Sequence, residues 1–164
     1  MQCFFDYPRK NFQIRELSRD SKIANPSAIE YTRRLLKEGL IIKEKISTYY
    51  SYKANRESKI FRFYKKIDII TRLHDTGLIE HIDNSCFPKV IILFGSASMG
   101  EDTENSDIDI YVNSKAKKLN LEKYEKALKR KVNILFEEDF NKINKELKNN
   151  IINGTIMEGY LEVF

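Results

Sequence analysis

KVIILFGSASMGEDTENSDIDIYV, residues 89–112, decides how this chain is read. KVIILF, 89–94, is a short apolar run rich in β-branched residues, the pattern of a buried strand. It stops at Gly95-Ser96. Gly100 and a polar turn follow, and the chain then enters SDIDIYV. Residues two apart on a strand face the same way, so Asp107 and Asp109 project together while Ile108 and Ile110 face a core. Two neighbouring carboxylates repel, and keeping both ionised on a half-buried strand is costly. A divalent cation removes that cost. Mg²⁺ takes one or two carboxylates and completes its octahedron with water and phosphate oxygens. Gly95 lets backbone approach a phosphate closely, and the Ser96 hydroxyl and nearby N–H groups can hold it. The residues thus point to a site for metal and phosphate. The acidic turn Glu101, Asp102 and Glu104 would not hold phosphate and reads as a solvated loop.

Gly95-Ser96, ten intervening residues, then Asp107-x-Asp109 directly after an apolar strand resembles the signature of the DNA polymerase β-like nucleotidyltransferases. The flavour of the motif is most similar to the minimal nucleotidyltransferases of prokaryotes, over about residues 86–164. The resemblance implies an α/β domain on a mixed sheet. It implies Asp107 and Asp109 as catalytic, metal-binding residues, Gly95 and Ser96 as nucleotide-binding ones, Mg²⁺ or Mn²⁺ as the metal, and a nucleoside triphosphate as substrate or ligand. Active members place a third carboxylate on a later strand. The candidate strand here is KRKVNILF, 129–136, and by alternation the matching position is Asn133, which can coordinate through its carbonyl but brings no charge and cannot act as a base; Glu137 or Glu138, just beyond the strand, could substitute only by folding back.

The front of the chain has a different pattern. FQIRELSRDS reads as a short amphipathic helix. NPSAIEYTRRLLKEG reads as a second, with Asn25 as cap, Pro26 in the first turn and Gly39 at a left-handed C-terminal position. At ~100° per residue, Ala28, Ile29, Thr32, Leu35 and Leu36 share its inner face. Leu40–Ile46 and Tyr49–Lys53 read as a hairpin turning at Ser47–Thr48. This order resembles a winged helix-turn-helix across about residues 1–56. In that family the second helix enters the major groove of double-stranded DNA and the hairpin touches backbone. The resemblance gives Ser27, Tyr31, Arg33, Arg34 and Lys37 as helix contacts, and Lys43, Lys45 and Lys53 as phosphate contacts, with Glu30 and Glu38 opposing. Ile60, Phe63, Tyr64, Ile67, Ile70 and Leu73 then recur at helical spacing before Gly77. Core packing is the first expectation for that stripe and pairing in a homodimer the second. The tail reads as a helix with Leu121, Tyr124, Ala127 and Leu128 on one side, another from Glu138 to Asn149, turns at Asn153-Gly154 and Glu158-Gly159, and a last short strand or docking tail, Leu161–Phe164.

Bulk properties fit two modules. Residues 1–75 hold 17 lysines and arginines against nine acids, a net +8, while residues 76–164 hold 12 against 15, a net −3. The basic half suits a polyanion such as DNA. No run approaches the ~18 apolar residues of a membrane span. The opening residues show no secretory pattern, and Cys3 and Cys86 match no zinc spacing, so a cytoplasmic protein with two buried thiols is expected. The fold expected is α+β: a winged helix-turn-helix over 1–56, a connecting helix over 57–80 and a nucleotidyltransferase domain over 81–164. Two functions compete. One is transfer of a nucleotide monophosphate to a protein or RNA acceptor, as in antitoxins that modify a HEPN-type partner, an implication of the resemblance alone. The other is a transcription regulator whose back half binds nucleotide with weak or no transfer.

Overall fold

The computed structural model describes residues 1–163. The chain divides into two compact units, Met1–Lys65 and Lys66–Phe164. The first begins with helices α1 (Gln2–Asp6), α2 (Ile14–Asp20) and α3 (Asn25–Lys37). An antiparallel hairpin of β1 (Ile41–Ile46) and β2 (Tyr49–Ala54) follows. Phe12 exchanges backbone hydrogen bonds of 2.8 Å with Tyr52, adding a short third rung to the hairpin. Phe4, Phe5, Phe12, Leu17, Leu40, Ile41 and Phe61 form the core of this unit.

Two expectations for α3 change. Ala24, not Asn25, holds the cap position: the Ala24 carbonyl accepts the first helical bond, from Ala28 N–H at 3.0 Å. Ile29 is exposed, because the buried stripe is narrow and centres on Ala28 and Thr32, with Leu35 and Leu36 half-buried. Gly39 is left-handed as read, with φ +69°.

Helix α4 (Lys59–Asp75) runs across the boundary between the units. Its expected apolar stripe packs only toward the C-terminal end, through Ile70 and Leu73. Phe61, Ile69 and Leu73 are buried, whereas Ile60, Phe63, Tyr64 and Ile67 are 43–55% exposed. The helix carries more apolar positions than its neighbours cover.

The second unit continues with α5 (Leu78–Cys86), β3 (Val90–Phe94), the short helix α6 (Gly95–Met99), β4 (Ile108–Val112), α7 (Glu122–Leu128) and β5 (Val132–Phe136). A 3₁₀ turn (Phe140–Lys142), α8 (Lys145–Ile152) and β6 (Thr155–Gly159) complete it. The sheet order is β5-β4-β3-β6, with β4 and β5 parallel and the other pairs antiparallel, so the sheet is mixed. Burial on both faces explains the unbroken apolar run of β3. One core holds Ile91, Leu93, Ile108, Ile110 and Val112 with Leu78, Ile82 and Leu128. The other holds Val90, Ile92 and Tyr111 with Phe140, Ile143 and Ile151.

The tail departs most from expectation. Residues 138–149 are not one helix: Asn144 accepts from Leu147 N–H at 2.9 Å and starts α8 afresh, while Asp139 caps the 3₁₀ turn. Glu158-Gly159 is not a turn but the end of β6, which pairs with β3. Leu161–Val163 is not a strand, and Phe164 lies outside the described residues. Ala127 is exposed, while Tyr124 and Leu128 are buried. Cys3 and Cys86 are free thiols, half-buried rather than buried, and burial pushes the Cys86 thiol upward. Among the described residues no helix is long and apolar enough to cross a membrane.

Candidate functional site

Asp109, Tyr111 and, just ahead of the strand, Asp107 point to one side of β4, opposite Ile108 and Ile110. Tyr111 is fully buried there against Phe140. Four residues earlier, Asp107 is exposed, and Asp109 is half-buried between them. The cover over this face therefore ends between the tyrosine and the acids, which is how a buried strand comes to carry two carboxylates.

β5 lies parallel to β4 and places Asn133 directly opposite Asp109. The Asn133 amide donates to Asp107 Oδ2 at 3.1 Å and to Asp109 Oδ1 at 3.3 Å. Both carboxylates thus converge on one nitrogen. Opposite-signed partial charge between them eases the repulsion that their closeness creates. Glu125 fixes where β5 begins: its carboxylate accepts from Val132 N–H at 3.0 Å and from Lys131 at 3.1 Å, which holds its carboxyl below the usual range.

Gly95 closes the other side. It has φ +70°, a backbone few residues with a side chain adopt. A Cβ at this position would lie 2.9 Å from Asp109 Oδ2. The two oxygens of Asp109 therefore face different neighbours, Oδ1 toward Asn133 and Oδ2 toward Gly95. Ser96 follows at the start of α6 and is exposed. The structure brings Gly95, Asp107 and Asp109 into one cluster with Asn133. Among the described residues no group of three or more His, Cys, Asp and Glu side chains is placed to hold a metal, so the acidic donors here are two.

The acidic turn is not simply solvated. Asp102 is 2% exposed and pairs with Arg130 at 2.5 Å, while Arg130 Nε donates to the Ser106 carbonyl at 2.6 Å. Thr103 and Ser106 are also bonded to one another. Arg130 therefore clamps the turn that delivers Asp107, and it was missed. In KALKRK it looks like one more surface cation, and nothing local to Arg130 signals a partner 28 residues away.

The other sequence-derived residues lie in the first unit. Ser27, Tyr31, Arg33, Arg34 and Lys37 on α3 are exposed, as are Lys43 and Lys45 on β1. Arg33 and Arg34 both reach Glu30, at 2.8 and 3.3 Å. Lys43 sits over the Tyr50 ring, 3.7 Å from its centroid. Lys53 is half-buried and pairs with Glu44 at 2.5 Å.

No curated protein and no solved structure matches the chain. A family model described as Polymerase beta, Nucleotidyltransferase does, over residues 76–161, from the helix before the sheet to just past its last strand. With the Gly-Ser turn, the paired aspartates and the mixed sheet all inside that span, the chain belongs to the polymerase beta nucleotidyltransferase family.

Proposed function

We propose that this protein binds a nucleoside triphosphate with a divalent cation at Asp107 and Asp109, and transfers a nucleotide monophosphate to a protein or RNA hydroxyl. The observation that carries this reading is the convergence of the two carboxylates beside a glycine with no room for a side chain. Two carboxylates whose outer oxygens no side chain covers fit Mg²⁺ or Mn²⁺, which take the rest of their ligands from water and phosphate. Such a cation, when bound, supplies charge neutralisation to the triphosphate and to the departing pyrophosphate. The chain's own residues would do the positioning. Asp107 and Asp109 would hold the cation to which the triphosphate binds, and Gly95 and Ser96 would meet its phosphates. The acceptor oxygen bonds to the α-phosphorus, the bond to the β-phosphate oxygen breaks, and pyrophosphate leaves. Position 133 offers no carboxylate to take the acceptor proton, which passes to solvent.

That last point favours a second reading, a transcription regulator whose nucleotide site transfers weakly or not at all. The first unit supports a regulatory role under either reading. We read its helices and hairpin as a winged helix, with Ser27, Tyr31, Arg33, Arg34, Lys37, Lys43, Lys45 and Lys53 facing double-stranded DNA. The exposed stripe of α4 suits a homodimer, and a HEPN-type protein is the acceptor that an antitoxin role would require.

Incubation with Mg²⁺, α-³²P-labelled nucleoside triphosphates and candidate acceptors separates the readings. Label transferred by the native protein and lost in Asp107→Asn with Asp109→Asn supports the enzyme. Metal-dependent nucleotide binding without transfer supports the regulator. No nucleotide binding under any metal defeats both.

A further inference from the structure

Asp107 and Asp109 present four carboxylate oxygens, and two of them are already engaged. Asp107 Oδ2 and Asp109 Oδ1 accept from the same Asn133 nitrogen. That nitrogen has two protons and no lone pair to offer a metal. The remaining oxygen of Asp109, Oδ2, lies against Gly95, 2.9 Å from where a Cβ would stand, so a glycine there leaves it uncovered.

We propose that the site takes one divalent cation per bound nucleotide, held by the aspartate oxygens that Asn133 leaves free, because the Asn133 amide occupies the position between the carboxylates where a second cation would sit. The inference rests on the nucleotide-binding reading of the same site. Asp107 Oδ1 and Asp109 Oδ2 are the two carboxylate oxygens left for a first dication. A second would have to draw on the oxygens that Asn133 holds. Turning the amide over would replace two donated hydrogen bonds with an oxygen facing two carboxylate oxygens at about 3 Å, with no added charge to favour a dication. Asn133 is a positioning residue on this account. It keeps the two carboxylates aimed alike in the absence of metal and sets the number of cations bound.

The full chain is dialysed to equilibrium against Mn²⁺ and the α,β-methylene analogues of ATP, GTP, CTP and UTP in turn. Manganese and nucleotide are measured on both sides, and the retained manganese is examined by electron paramagnetic resonance. The native protein should retain one Mn²⁺ per nucleotide, with the spectrum of an isolated ion. Asn133→Asp, at an exposed position, should retain two, with a spin-coupled spectrum. Two coupled ions in the native protein overturn the inference and leave the nucleotide reading intact. One ion in Asn133→Asp shows that the amide does not set the count. Retention of no nucleotide by either protein removes the nucleotide reading, and the inference with it.

Discussion

Asp109 shows how tightly its neighbours define the candidate site. One of its oxygens is tied to Asn133 and the other lies against Gly95. Gly95→Ala would put a methyl 2.9 Å from Asp109 Oδ2 on a backbone at φ +70°. The left-handed backbone alone costs about 1 kcal/mol for a residue with a Cβ. The carboxylate must also swing away from its position opposite Asn133. We expect a folded protein with a melting point lowered by a few degrees and Mn²⁺–nucleotide affinity reduced at least tenfold. Calorimetry and equilibrium dialysis measure the two, and unchanged affinity would mean that the Gly95 side is not where the ligand sits. That Gly95, Asp107 and Asp109 lie together was legible in the sequence because a strand, a glycine turn and alternation bring them to one side. The face of Asn133 was legible from alternation. That β5 runs parallel to β4, so that Asn133 meets Asp109, is a matter of chain topology that residues 129–136 do not encode locally.

The turn between α6 and β4 depends on a pair that local pattern conceals. Asp102 and Arg130 are 2% and 10% exposed in their side chains, and Arg130 also bonds the Ser106 carbonyl immediately before Asp107. Removing one partner of a buried pair takes the other's charged hydrogen bond away inside the protein, at about 3–5 kcal/mol. Arg130→Met should therefore lower stability by that order in urea unfolding. It should also loosen Asp107, so that nucleotide binding weakens beyond what the unfolded fraction explains. A stability loss under 1 kcal/mol would show that water replaces the arginine and that the turn holds itself. The elements themselves were unevenly legible. β3 and β4 announce themselves by apolar runs and alternation, and α3 and α4 by period. β6 does not, since TIMEG is short, half-polar and bounded by Gly154 and Gly159, and it is a strand only because β3 pairs with it. Residues 138–149 carry helical spacing but break at Asn144, whose side chain caps a new start. The α4 stripe held in part: Ile70 and Leu73 pack, while period alone does not say that Ile60, Phe63, Tyr64 and Ile67 go uncovered.

The asymmetry of charge, +8 over residues 1–75 against −3 over 76–164, bears on what the protein meets in solution. An expectation that the basic half binds DNA must contend with Glu30, which holds both Arg33 and Arg34. Exposed pairs of this kind are worth little, about 0–1 kcal/mol, so the arginines can turn to phosphate at small cost. Without them, Glu30 faces the duplex alone and repels it. Arg33→Ala with Arg34→Ala should therefore do more than remove two contacts. In fluorescence anisotropy with a labelled promoter fragment, affinity should fall at least tenfold at fixed salt. The slope of log affinity against log salt should shrink by about 1 to 2, as two phosphate contacts and their released counterions disappear. Glu30→Gln should act in the opposite direction, tightening binding by removing the repulsion while leaving both arginines. If two chains pair through Ile60, Phe63, Tyr64 and Ile67, saturation comes at two chains per duplex, as a symmetric operator requires. Equal affinity and equal salt slope in the native protein and the arginine variant would place the polyanion elsewhere on the unit, or remove it from the protein's function.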